Sequence, residues 1–187
     1  MTRVVLPIAP VDVAIQPPAP RPVTLEGKRL GFLDGWGMRK PDGAYDMFSL
    51  MDSIRSEAGA TWAIAEHEWR RKARAGSPAS PDDLAVMSTM DAVITGTCLS
   101  GGCTAGAIDD AAYLESAGVP TITLCQENFE ELARAYSAAC GFPRLRLFVY
   151  PVPVGGNLAA DPQALVRDRL DELTDLMFAP QREDRED

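Results

Sequence analysis

Two thiols lie close together in the stretch Asp91-Ala-Val-Ile-Thr-Gly-Thr-Cys-Leu-Ser-Gly-Gly-Cys-Thr-Ala-Gly106, at Cys98 and Cys103. A thiol is a nucleophile only as thiolate, and the N-terminal end of a helix favours that form. The stretch offers such a setting. Ala92-Val93-Ile94 is an apolar run rich in β-branched residues and reads as a buried strand. A glycine-rich loop, Gly96 to Gly102, follows it. A helix is expected from near Thr104, with Asp109, Asp110 and Glu115 on its polar side. A strand, a tight loop and a helix start turn backbone N–H groups and positive dipole toward a ligand.

Four readings of the loop compete. As a phosphate cradle it lacks both GxxxxGK[ST] and GxGxxG. As a serine-nucleophile site at Ser100 it lacks a local base and a GxSxG elbow. As a reactive-thiol site it would rest on Cys103, exchanging with Cys98 if their Cα atoms approach within about 7 Å. The fourth reading is a tight turn whose small residues serve close packing. The residues alone leave the last two open.

Composition narrows the partners. A hydrophobic content of 46% and a charged content of 24% are ordinary for a soluble domain. A net charge of −9 argues against nucleic acid or an anionic membrane as partner. No stretch approaches the ~18 apolar residues of a membrane span, and the start of the chain lacks a signal-peptide core. A cytoplasmic protein is expected. Four cysteines at irregular spacing do not make a disulfide framework. With no CxxC and a single histidine, His67, neither a metal nor another cofactor is expected.

The remaining elements must position the loop. Residues 1–28 read as a proline-rich, extended arm, 29–178 as an α/β domain and 179–187 as a disordered acidic tail. The arm carries Val4, Val5, Leu6 and Ile8, which need burial, so a homodimer with crossing arms is expected, self-wrapping being the alternative. Lys28–Asp34 is the first strand and Thr61–Ala65 a short second one. A helix runs from Ala44 to Gly59. His67–Arg74 is basic and reads as a helical or irregular surface element rather than a phosphate clamp. Ser80 and Pro81 start a helix to Met90. Pro120–Gln126 and Arg144–Tyr150 are strands, Glu127–Cys140 and 162–178 helices, and Cys125 and Cys140 packing thiols. Strands alternating with helices imply one three-layer α/β domain on a mostly parallel five-stranded sheet, in the flavodoxin-like order 2-1-3-4-5. Ligands in such sheets bind at the carboxyl ends of the strands, where the order reverses. That rule sets Asp34–Lys40 beside Cys98–Thr104, with Gln126 and Glu127 near.

Several segments occur in an order that resembles the UGSC family, named for a selenocysteine-Gly-Ser-Cys motif. They are Leu25–Asp34, Lys40-Pro41, Asp91–Gly96, Ser100-Gly-Gly-Cys103-Thr104, Gly118-Val-Pro-Thr121, Glu127-Asn-Phe129 and Glu130–Arg134. The resemblance covers residues 25 to 157. Ser100 stands where that family carries selenocysteine or cysteine, Gly102 replaces the motif serine, and Val152 stands where a histidine is expected. The resemblance implies a thiol or selenol redox site in which this chain keeps only Cys103.

The leading expectation is a small enzyme acting on a small molecule through a reactive thiol within Cys98–Thr104. Cys103, Cys98 and Ser100 would be catalytic. Asp34, Lys40, Gly101, Gly102, Thr104 and Glu127 would bind substrate, with Asp34, Lys40 and Glu127 orienting it or moving protons. A cofactor-free lyase or hydratase using those acid–base groups, and a non-catalytic binding protein, are the alternatives.

Overall fold

A computed structural model describes residues 13–37, 39–152 and 161–178. The arm residues Val4 to Ile8, the loop from Pro153 to Gly156 and the tail 179–187 lie outside the described residues. Five strands form one all-parallel sheet: β1 (Arg29–Asp34), β2 (Glu66–Arg71), β3 (Ala92–Cys98), β4 (Thr121–Gln126) and β5 (Leu147–Tyr150). Their order is β2-β1-β3-β4-β5, as the alternation of elements led one to expect. Helices α1 (Ser49–Thr61), α5 (Pro162–Asp168) and α6 (Leu170–Phe178) pack on one face. Helices α2 (Pro81–Met87), α3 (Gly101–Ser116) and α4 (Glu130–Ala139) cover the other.

The period of two along each strand divides the core. Leu30 and Phe32, Ala92 and Ile94, Ile122 and Leu124, Phe148 and Tyr150 all join the cluster under α1, α5 and α6. Leu33, Val93, Cys125 and Leu147 face the opposite layer. The register seats Phe32 beside Ile94 and Ile94 beside Ile122, so one apolar row crosses the sheet.

Several element assignments differ from the sequence reading: the helix from Pro81 ends at Met87 rather than Met90, the last strand starts at Leu147 rather than Arg144, and Glu127–Phe129 is a 3-10 turn ahead of α4. The second strand is Glu66–Arg71 and not Thr61–Ala65; Thr61 ends α1 and Trp62 caps it. Among the described strands β2 pairs only with β1, so main-chain bonds form it and no apolar run is needed. The residues taken as a surface element are therefore sheet, and Trp69 packs against the core. Helix α1 starts at Ser49, because Asp34 holds the Phe48 N–H and draws the preceding residues into a loop. Helix α3 begins at Gly101 rather than near Thr104, because Ser100 caps it. The 162–178 segment is two helices broken at Arg169, whose guanidinium donates to the Val149 carbonyl at 2.6 Å.

The polar side predicted for α3 is also corrected. Asp110 and Glu115 are 1% and 2% exposed, and each holds a distant segment. Asp110 accepts from Lys72 Nζ at 2.6 Å and from the Ala79 N–H at 2.7 Å. Glu115 accepts from the Ala19 N–H, from Arg21, and from both the N–H and hydroxyl of Thr121. Arm residues 13–28 thus lie along their own domain, with Leu25 fully buried. Among the described residues, no helix is long and apolar enough to cross a membrane.

The Lys72–Asp110 pair fixes the connection that follows β2. Gly106 of α3 lies so close to that connection that a Cβ there would come within 2.9 Å of the Ala75 and Ser77 carbonyl oxygens. Removing one partner would strand the other charge in the interior. Asp110→Ala should cost about 3–5 kcal/mol of unfolding free energy, whereas the double change Lys72→Met with Asp110→Leu should recover most of it. Urea titration of the two variants against the parent measures both values.

Candidate functional site

Cys98 is the last residue of β3 and lies opposite Cys125 of β4, with both side chains fully buried. Its hydrogen bond with the Cys125 thiol, followed by burial, pushes the Cys98 thiol well above the usual cysteine range. Tyr150 closes the neighbouring position, its hydroxyl 3.0 Å from that of Thr97. All four cysteines are free.

Only Leu99 and Ser100 separate β3 from α3. The Ser100 hydroxyl accepts from the Cys103 N–H at 3.2 Å, and the Ser100 carbonyl accepts from the Thr104 N–H and hydroxyl at 2.8 and 2.7 Å. Cys103 is therefore in the first turn of the helix and not in a loop. It keeps 8% exposure, while Ser100, Gly101 and Gly102 are exposed. Among the described residues, the Gly101 and Gly102 N–H groups have no acceptor, as expected of the first donors of a helix.

A pocket opens beside this turn. The Gly35 N–H donates to the Gly96 carbonyl at 2.9 Å, so the ends of β1 and β3 meet where the strand order reverses. The pocket holds about 280 Å³. Gly35, Trp36 and Gly37 line it from the chain after β1, Arg39 and Tyr45 from the turn beyond, and Arg71 and Ala75 from the end of β2 and its exit. Ala75 leads into Gly76, and a Cβ on Gly102 would sit 3.7 Å from the Gly76 Cα. The helix start thus packs against the residue that follows the pocket wall.

Asp34 builds the pocket from below. It is fully buried, and its carboxylate accepts from the N–H groups of Trp36, Gly37 and Phe48 at 2.6, 3.1 and 2.7 Å and from the Trp69 indole at 3.3 Å. Burial pushes the Asp34 carboxyl above its ordinary range, against the opposing pull of these bonds and of Arg71. Gly37 passes so near the Asp46 carbonyl that no side chain fits there. Arg71 stacks over the Tyr45 ring at 3.4 Å, and its Nη1 donates to the Lys72 carbonyl at 3.2 Å. Its Nε is buried with no acceptor among the described residues.

The sequence-predicted residues divide accordingly. Ser100, Gly101, Gly102 and Cys103 share one helical turn. Thr104 is buried beneath it with its hydroxyl committed to Ser100. Lys40 is exposed and pairs with Asp46 at 2.7 Å. Glu127, at the end of β4, accepts from the Val152 N–H at 3.1 Å and ties two strand ends together. Arg39, Tyr45 and Arg71 were missed. The signal for Arg71 was present in the basic run from His67 to Arg74. Among the described residues, no group of three or more His, Cys, Asp or Glu side chains could hold a metal ion.

The profile of the UGSC family matches residues 3–179. The chain belongs to the UGSC family. The match extends beyond the residues that carried the resemblance, taking in the arm and both C-terminal helices. In this UGSC protein the Ser100 position is an exposed helix cap and Cys103 lies one turn inside it. No curated protein and no solved structure matches the chain.

The raised Asp34 carboxyl has a consequence for stability. With its pKa raised above the ordinary value of 3.8, this carboxyl holds its proton more tightly in the folded chain than in the unfolded chain. Its contribution is complete below that value and drains away as pH rises through the folded value. The cost of Asp34→Asn should therefore shrink as pH rises from about 4 to 7. Urea titrations of both proteins across that range test the sign; a growing cost would contradict it.

Proposed function

We propose that this UGSC protein is an enzyme acting on a small molecule, with Cys103 as a lone sulfur nucleophile. The observation that carries the reading is the position of Cys103 in the first turn of α3, beside two unpartnered N–H groups and in a turn whose Gly102 packs against Gly76, next to the pocket residue Ala75. Those N–H groups suit an oxygen that gains negative charge as sulfur attacks. Dithiol exchange with Cys98 is disfavoured. Cys98 is fully buried, bonded to Cys125 and held protonated, whereas exchange needs an accessible thiolate.

The acid–base alternative has less support. Asp34 is covered by four N–H donors, Lys40 is paired with Asp46, and Glu127 is engaged at the β4–β5 end. His67, the only histidine, is the second residue of β2, toward the opposite end from Arg71. The helix start and its two free amides are then what the site offers beside the sulfur. For quaternary structure we propose a homodimer, which a monomeric mass in light scattering would rule out.

Iodoacetamide labelling of the native chain, read at each cysteine peptide between pH 6 and 9, tests the thiol. Cys103 should label at least about ten times faster than Cys98 and Cys125, which burial protects. Cys140 is half-buried, and burial together with Asp109 pushes its thiol up. A Cys103 rate at pH 7 no greater than that of Cys140 would defeat the proposal and leave a binding protein without sulfur chemistry.

A further inference from the structure

We infer that the pocket between Arg39 and Arg71 takes the carboxylate of a small organic acid. This names a substrate class for the thiol site and rests on that reading only in this respect. The pocket's capacity of about 280 Å³ is at the small end of ligand pockets, which suits a compact molecule rather than a nucleotide.

The guanidinium of Arg71 carries the recognition. One face is spent on the Tyr45 ring, and Nη1 is spent on the Lys72 carbonyl. Nε and Nη2 have no acceptor among the described residues, and Nε is buried. Those two nitrogens form one edge of the planar group, the edge that meets both oxygens of a carboxylate. Buried donors are nearly always paired, and here the missing acceptor fits an incoming ligand. Arg39 adds a second charge from the turn, with no ion-pair partner among the described residues.

The surrounding groups decide between anions. A phosphate dianion is best held by a nest of backbone N–H groups. Here the amides of Gly35, Trp36 and Gly37 within the pocket are already given to Gly96 and Asp34, and the free Gly101 and Gly102 N–H groups lie outside its lining. The Asp34 carboxylate, which accepts from three backbone N–H groups and an indole, also sets negative charge against the two arginines, and the Lys40–Asp46 pair adds none. The local balance is a single positive charge inside a chain of net charge −9. It matches a monoanion. Tyr45 and Trp36 supply flat apolar surface for the rest of the molecule.

Calorimetric titration of the full chain with benzoate, benzamide and inorganic phosphate tests the inference, using the parent, Arg71→Gln, Arg71→Lys and Arg39→Gln. Benzoate should bind the parent, benzamide and phosphate at least tenfold more weakly. Arg71→Gln and Arg71→Lys should each lose at least tenfold in benzoate affinity, since lysine restores the charge without the fork. Arg39→Gln, at an exposed position, should lose severalfold and guards against a folding artefact at Arg71. Absence of benzoate binding to the parent, parent-like binding by both Arg71 variants, or preference for phosphate would each overturn the inference. Labelling of Cys103 by iodoacetate relative to iodoacetamide links pocket to thiol. Sulfur displaces iodide in both reagents, but only iodoacetate carries the carboxylate. Their rate ratio should fall in Arg71→Gln, and an unchanged ratio would overturn the assignment as substrate site. A slow Cys103 with Arg71-dependent benzoate binding would instead defeat the thiol reading and leave the carboxylate pocket standing.

Discussion

The ion pair between Lys72 and Asp110 is the constraint on which the site's geometry depends. Both side chains are almost wholly out of water, 1% and 2% exposed. Two charges so placed are costly unless paired and further hydrogen-bonded, and Asp110 meets that demand with the Ala79 N–H. The pair pins the chain leaving β2 to the middle of α3 at both its ends. Between those points, Ala75 and Gly76 are pressed toward Gly106 and Gly102. One electrostatic contact therefore sets both a wall of the pocket and the outer limit of the helix start.

A similar logic governs the loop after β1. Asp34 gathers the N–H groups on either side of the turn and stands in for main-chain partners that the turn cannot supply. The carboxylate is structural in its contacts and electrostatic in its reach, because it lies within range of Arg71. The pocket is thus a cationic opening with a negative floor. That combination limits which ligands it holds more than its size does.

Much of the fold was legible because the sheet is built from apolar runs of period two, and because Ser80, Gly118 and Gly141 punctuate the helices in ordinary ways. The thiol at the helix start was legible for the same reason: a β-branched run followed by small residues allows few alternatives. What escaped notice shares one cause. Strand β2 is stabilised by main-chain bonds to β1, which leave no mark on side-chain pattern. Asp110 and Glu115 looked like solvent-facing acids because their partners lie 38 and 94 residues away. Arg71 looked like one charge among several, since only its stacking on Tyr45 distinguishes it from its neighbours. Local spacing conveys periodicity; it does not convey which charge will meet which.

The hold of Glu115 on Ala19 and Arg21 bears on the order of assembly. The contact joins residues 96 positions apart, so the chain between them must be gathered when it closes. Before it closes, the Glu115 carboxylate has the N–H and hydroxyl of Thr121 but lacks the guanidinium that offsets its charge. The N-terminal strap is in that sense a latch on the hub rather than a trailing end.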